Sequence, residues 1–338
     1  MDPRIPITLL TGYLGSGKTT LLQHLLQQPG MKETAVVINE LGEAGLDHLL
    51  VRNVEDTYIA DNTVLLGSGC LCCILRTELA DTLRDLYFKR TFHAIPHFDR
   101  LVIETTGLAD PGPILANLLN ADVIRDQYRL DAVVVTVDST FGLEQLAQHE
   151  EAGKQAAIAD VLLLTKTDLC SPETINDLRQ YLANLNPGAT CHLVAQGRIA
   201  PSEIVDIGLF DRHLEQAQPL RWLRVPGKTH TSIGTLSHSS HAADISTMSL
   251  TLPETLSSKD LQSALERLCA QYGPRLLRLK GIVQLSDLGV VAVHAVQHVV
   301  YPFTSLPAEN MVGRSQLVII GKSLDQNALK KVINEVTL

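Results

Sequence analysis

Gly12-Tyr13-Leu14-Gly15-Ser16-Gly17-Lys18-Thr19-Thr20 lies between an apolar run, Ile5 to Leu10, and a segment with Leu21, Leu22, Leu25 and Leu26 at helical spacing. Strand, glycine-rich turn and helix in that order are the setting in which G-x-x-x-x-G-K-[ST] cradles phosphate. Glycines let backbone N–H groups turn inward around anionic oxygens, and the helix N-terminus adds its dipole. Gly12, Gly15, Ser16, Gly17 and Thr20 are candidate cradle residues. Lys18 is expected to sit on the β- and γ-phosphates and the Thr19 hydroxyl to ligate Mg²⁺.

The rest of the first 210 residues reads as alternating strands and helices. Thr34–Ile38, Thr63–Leu66, Arg100–Glu104, Ala132–Val137, Val161–Leu164 and Cys191–Ala195 are the expected further strands. Leu75–Phe88, a segment opened by Pro111 and Pro113, and Pro172–Asn184 are expected helices. Near-continuous aliphatic strands imply a sheet covered on both faces. The fold class is α/β, a P-loop NTPase with a doubly wound, mostly parallel sheet, plus a small α+β C-terminal domain. The boundaries read as residues 1–210 for the nucleotide domain, 211–245 for a Ser-, Thr- and His-rich linker, and 246–338 for the C-terminal domain. Within the last, strands are expected near Ser246–Leu252, Leu277–Leu285, Val290–Val300 and Gln316–Ile320. Helices are expected at Ser258–Tyr272 and from Leu324.

Composition narrows the function. With 338 residues, 45% hydrophobic, the chain can build sizeable cores. A net charge of −9 without a basic cluster argues against nucleic acid as partner. No apolar run approaches a membrane span, so no membrane partner is expected. The first strand follows Met1 closely, with no signal peptide ahead of it, and a cytoplasmic location with reduced thiols is expected.

Three further stretches carry chemistry. Arg100-Leu101-Val102-Ile103-Glu104-Thr105-Thr106-Gly107 ends an apolar strand in an acid that can reach Mg²⁺, with Gly107 placed to offer its N–H to the γ-phosphate. In Thr165-Lys166-Thr167-Asp168 the carboxylate can accept both N1–H and N2–H of guanine, and the Lys166 stem can lie along the ring; GTPases usually have Asn at the first position. Val194-Ala195-Gln196-Gly197 can add backbone contacts to the base.

Gly69-Cys70-Leu71-Cys72-Cys73 is the third stretch. Three thiolates within four residues can converge on Zn²⁺ or another borderline ion, leaving a position open for transfer. A redox dithiol and idle buried cysteines are the alternatives. Glu43 and Asp47, in the acidic loop after Asn39-Glu40, can serve Mg²⁺, water or the transition metal. Cys170, Cys191 and Cys269 are scattered and are read as having no role; His230, His238 and His241 are read as polar linker residues with a secondary chance of ligating metal.

Taken together, Gly12–Thr20, Asn39-Glu40-Leu41-Gly42-Glu43, Gly69–Cys73, Glu104-Thr105-Thr106-Gly107 and Thr165–Asp168 resemble the CobW-type GTPases, relatives of the chaperones that deliver nickel to urease and hydrogenase. Leu277-Arg278-Leu279-Lys280-Gly281 resembles part of that family's second domain. The resemblance implies slow GTP hydrolysis to GDP and phosphate that gates metal binding and handover to a client metalloprotein. It implies GTP and Mg²⁺ in the nucleotide site and Cys70, Cys72 and Cys73 as metal ligands; Glu43, read from the acidic loop itself, is a further candidate metal ligand. Zinc is the first expectation and Co²⁺, as in cobalamin biosynthesis, the second. Lys18, Thr19 and Glu104 become the expected catalytic residues, and a homodimer is left open. A P-loop small-molecule kinase and a non-enzymatic metal sensor are the competing classes.

Overall fold

The computed structural model describes residues 3–39, 64–68, 76–120, 122–205, 207, 244–253, 256–273, 275–308 and 314–334. Among them are two sheets. The first has seven strands: β1 Ile5–Gly12, β2 Thr34–Asn39, β3 Val64–Ser68, β4 Arg100–Glu104, β5 Tyr128–Asp138, β6 Val161–Thr165 and β7 Thr190–Leu193. Their order is β3-β2-β4-β1-β5-β6-β7, and every neighbouring pair is parallel. The period of two along each strand sorts its aliphatic side chains onto two faces. Ile7, Leu9, Val37, Ile103, Val133, Val135 and Leu164 join one cluster; Leu10, Val36, Val102, Val134 and Leu163 join the other.

Helices fill both faces, as parallel crossovers require. α1 Lys18–Leu26 covers the second cluster with Leu21, Leu22, Leu25 and Leu26. The first cluster takes α2 Arg76–Thr91, α3 Pro111–Asn120, α6 Glu150–Ile158 and α7 Pro172–Leu185. Shorter helices α4 Asp122–Gln127 and α5 Gly142–Gln148 complete the crossovers. On α2, Leu79, Leu83 and Leu86 are buried at the spacing the sequence shows.

The second sheet is antiparallel. β8 Ile245–Thr251, β9 Leu276–Leu285, β10 Gly289–Val296, β11 Val299–Val300 and β13 Gln316–Lys322 run in the order β11-β10-β9-β13-β8, and β12 Thr304–Ser305 also pairs with β10. α8 Ser258–Tyr272 and α9 Gln326–Asn334 pack on one face with Leu265, Leu268, Leu279, Val283, Leu317 and Ile319. The single strand expected over Val290–Val300 is corrected to a hairpin, because Gln297 takes a left-handed φ of 47° and turns the chain back. Asn and Gln tolerate that region better than branched residues, but no turn signal as strong as Asn-Gly marks it. Leu324 precedes the last helix rather than opening it.

The other face of this sheet lies on the nucleotide unit: Ile245, Leu277, Val296, Tyr301 and Ile320 share the core cluster of α2, α3, α6 and α7. Buried charge sits in the same contact. Asp160, between α6 and β6, pairs with Arg278 and, at 3.1 Å, with Lys280, while its other oxygen accepts the Val133 N–H at 2.9 Å. Arg278 also donates to the Ile158 carbonyl. His294 stacks on Tyr301 at 4.4 Å within the cluster. Burial alone would raise the Asp160 carboxyl, but Arg278 and Lys280, helped by His294 and the Val133 N–H, hold it well below the usual carboxylate range. Lys280 is pushed down to about 7 by burial and by the Arg278 charge, the Asp160 attraction opposing. Both directions follow from two cations sharing one carboxylate.

Candidate functional site

The site forms at the carboxyl edge of the parallel sheet, beside β1, where the order of connection reverses between β4 and β5. Register fixes which side chains meet there. Leu10 is level with Glu104, Gly12 with Thr136 and Asp138 with Thr165.

The glycine-rich turn adopts backbone that only glycine enters cheaply: φ is 145° at Gly12, 71° at Gly15 and 87° at Gly17. A Cβ on Gly12 would also overlap Thr136 and crowd the Ser16 hydroxyl at 2.8 Å. Gly17 caps α1, so the first N–H groups of that helix face the turn. The buried Lys18 ammonium folds back over the turn, donating to the Gly12 carbonyl at 2.8 Å and the Tyr13 carbonyl at 3.2 Å. Thr19 donates its hydroxyl to Glu104 at 2.9 Å. That pair joins two stretches 85 residues apart and presents hydroxyl and carboxylate oxygens, the donor type Mg²⁺ takes.

The threonine that replaces asparagine at position 165 is part of the cradle. Its buried hydroxyl donates to the Ser16 carbonyl at 2.7 Å and the Val137 carbonyl at 3.2 Å. The Ser16 hydroxyl in turn lies 2.7 Å from the Thr136 hydroxyl. Lys166 has a φ of 56° and pairs with the buried Asp138 at 2.7 Å. Asp138 also accepts the Thr140 N–H at 2.7 Å, so it fixes the loop opposite Lys166. Asp168, two residues on, is exposed and open to a base. Gln196 and Gly197 turn with φ of 51° and 70°, and a Cβ on Gly197 would come 2.8 Å from His24 and 3.1 Å from the Thr20 carbonyl of α1.

Gly107 follows β4 and lies against the cradle: a Cβ there would sit 2.7 Å from the Leu14 backbone. Buried Gln155 of α6 donates to the carbonyls of Gly107 at 3.2 Å and Ala109 at 3.0 Å. Sequence reasoning passed over Gln155, Thr136 and Asp138. A Gln in an alanine-rich helix segment, Gly153 to Ala157, and an Asp closing an aliphatic strand were the signals available.

Glu43, Asp47, Cys70, Cys72, Cys73, His230, His238 and His241 lie outside the described residues. Within the described residues, Glu33, His97 and Asp99 place ligand-type atoms within 4.8 Å of one another. The Arg90 guanidinium already contacts His97 at 2.7 Å and Asp99 at 3.8 Å, supplying the positive charge that the grouping calls for.

Residues 6–192 match the CobW/HypB/UreG nucleotide-binding domain, and residues 245–337 match the cobalamin synthesis protein cobW C-terminal domain. The chain is 32% identical to the zinc chaperone YjiA of Escherichia coli over 98% of both chains. It is 29% identical to the zinc-regulated GTPase metalloprotein activator 1 of Schizosaccharomyces pombe, over 96% of this chain and 84% of that one. The crystal structure of Zn(II)-bound YjiA GTPase from E. coli superposes with a TM-score of 0.73 at 29% identity, covering 98% of this chain and 99% of that one. By family and by architecture, the chain belongs to the CobW/HypB/UreG family.

Proposed function

We propose that this chain is a slow GTPase that binds Zn²⁺ and hands it to a client metalloprotein under nucleotide control. The observation that carries the nucleotide half is the meeting of Lys18, Thr19 and Glu104 on one glycine-rich cradle. Lys18 exchanges its bonds to the Gly12 and Tyr13 carbonyls for phosphate oxygens, so the charge is already over the cradle before substrate arrives. Thr19 and Glu104 would hold Mg²⁺, which when bound neutralises charge between the β- and γ-phosphates. Gly107 offers its N–H to the γ-phosphate. Thr165 braces the cradle floor while Asp168 reads guanine and Lys166 flanks the ring. Gly12, Gly15, Ser16, Gly17 and Thr20 complete the phosphate contacts.

The metal half is supported by the names of the relatives and by the chemistry of Cys70, Cys72 and Cys73, with Glu43 as candidate fourth ligand. A Zn(II)-bound triple mutant of YjiA, in which a glutamate and two cysteines are replaced by alanine, superposes with a TM-score of 0.74. Co²⁺ is the alternative cargo. The reading includes a nucleotide domain over 1–210, a linker over 211–245 and a CobW-type C-terminal α+β domain over 246–338. It also includes a cytoplasmic setting, and among the described residues no helix is long and apolar enough to cross a membrane.

The test separates the two halves. Lys18→Ala should reduce GTP turnover at least about a hundredfold, the scale seen when a phosphate-stabilising cation is lost, and leave zinc stoichiometry in the nucleotide-free protein unchanged. Replacing all three cysteines by serine should remove one equivalent of tightly held Zn²⁺ and leave basal turnover intact. Unchanged turnover in the first variant would reject the GTPase reading; unchanged zinc content in the second would reject the thiolate site.

A further inference from the structure

The loop from Thr105 to Asp110 is tied to the C-terminal sheet by two separate routes. One runs through α6. Gln155, fully buried at its centre, donates to the Gly107 and Ala109 carbonyls. Both ends of α6 are then fixed to the second sheet: Glu150 pairs with Lys322 at 3.1 Å, and at the other end its last residue, Ile158, and Asp160 just beyond it hold Arg278 and Lys280. The other route is direct. Asp110 accepts the Gly112 N–H at 2.9 Å, capping the start of α3, and the same carboxylate takes Gln297 at 3.3 Å and Lys154 at 3.4 Å. Gln297 is the residue whose left-handed φ closes the β10–β11 hairpin, and it sits flat on Gly112, where a Cβ would overlap its amide.

The loop has a reason to move. It follows Glu104 and rests on Leu14 of the cradle, so a third phosphate that takes the Gly107 N–H acts directly on it. The Thr106 hydroxyl and the Gln155 carbonyl oxygen, both buried, have no hydrogen-bond partner among the described residues, which leaves them capacity for a contact in a second arrangement. Helix α6 is a rigid element anchored at both ends, and the hairpin turn has no slack against Gly112. Motion at 105–110 therefore either drags the hairpin or breaks the Asp110–Gln297 bond.

We infer that Gln155 and Asp110 are positioning residues that couple the loop after Glu104 to the β10–β11 hairpin, so that the nucleotide bound in the cradle sets the conformation of the C-terminal sheet's edge. This rests on the reading that the cradle takes GTP, and it adds the C-terminal sheet as the element that reports which nucleotide is present.

Hydrogen exchange of the full chain with GDP–Mg²⁺ and with a non-hydrolysable GTP analogue–Mg²⁺ decides it. Residues 105–112 and 294–300 should change together, by about threefold or more in exchange rate, the signature of a shared opening unit. Gln297→Asn keeps tolerance for the left-handed turn but is too short to reach Asp110. In it, residues 105–112 should still respond, 294–300 should not, and both nucleotide affinities should stay within about twofold of wild type. Gln155→Met should lower kcat for GTP about tenfold, counted per GDP-binding site titrated so that unfolded protein does not enter, with KM and GDP affinity unchanged. If the wild-type hairpin ignores the nucleotide while 105–112 responds, the coupling is wrong and the GTPase reading stands. If neither nucleotide binds, the GTPase reading fails and the coupling with it. The wild-type comparison is decisive even where a variant fails to fold.

Discussion

Thr165 stands where GTPases usually have asparagine, and its hydroxyl is a structural tie of the glycine-rich turn. It sits at the end of β6 with its oxygen aimed at two carbonyls, those of Ser16 and Val137, and thereby binds the cradle to the strand that leads to Asp168. Thr165→Val keeps the shape and removes the donor. Stability should fall by about 1–2 kcal/mol, the worth of a buried hydrogen bond left half unmade, and GTP and GDP should both bind more weakly. Thermal unfolding and nucleotide titration check this; unchanged affinity would mean that the hydroxyl braces nothing the nucleotide feels. At this scale the sequence was legible where spacing is short and fixed, as from Gly12 to Thr19. Thr136 and Asp138 were not legible, because each is a common residue whose meaning comes from a loop partner, Ser16 or Lys166, more than 25 positions away.

The loop between β4 and α3 is where one element's geometry constrains another. Gly107 has an ordinary backbone conformation, so its lack of a side chain serves the close approach to Leu14 and not a turn. Gly107→Ala brings a methyl to 2.7 Å of backbone, which must shift. GTP turnover should drop about tenfold or more while GDP, which lacks the third phosphate, binds as before. Steady-state turnover beside GDP titration separates the two; equal losses would place Gly107 in the general cradle. Strands and helices of the parallel sheet were legible because their aliphatic runs and leucine spacing repeat over many residues. The β10–β11 hairpin was not, since an unbroken valine-rich run conceals the turn at Gln297.

Across the whole molecule, the two sheets meet over an apolar surface with charge at its centre, so their contact responds to pH. His294 is held well below its ordinary value of 6.5, first by burial and then by Arg278 and Lys280, with Asp160 pulling the other way. The folded chain thus keeps it neutral where the unfolded chain takes up a proton. Its contribution is complete above pH 6.5 and is lost as the pH falls below that value, by up to about 1.4 kcal/mol per pH unit. His294→Phe keeps the stack on Tyr301 and should flatten the slope of unfolding free energy between pH 6.5 and 5; an unaltered slope would show that the ring is protonated in the fold. Asp160→Asn leaves Arg278 and Lys280 buried without their counter-charge and should cost about 3–5 kcal/mol. In the sequence, Leu277-Arg278-Leu279-Lys280-Gly281 carried only a family resemblance, and nothing marked its two charges as buried. Their partner was not legible either, because Asp160 lies 118 positions from Arg278.

Nucleotide-gated metal transfer requires that the triphosphate and the metal act on each other. The most direct measurement is the Zn²⁺ affinity of the intact chain, by competition with a chromophoric chelator, in the GDP–Mg²⁺ state and in the GTP-analogue–Mg²⁺ state. A coupling of about 1–3 kcal/mol, or 5- to 150-fold tighter binding with the triphosphate, is predicted, and it should vanish when Cys70, Cys72 and Cys73 are replaced by serine. Equal affinities in the two states would contradict nucleotide-gated metal transfer.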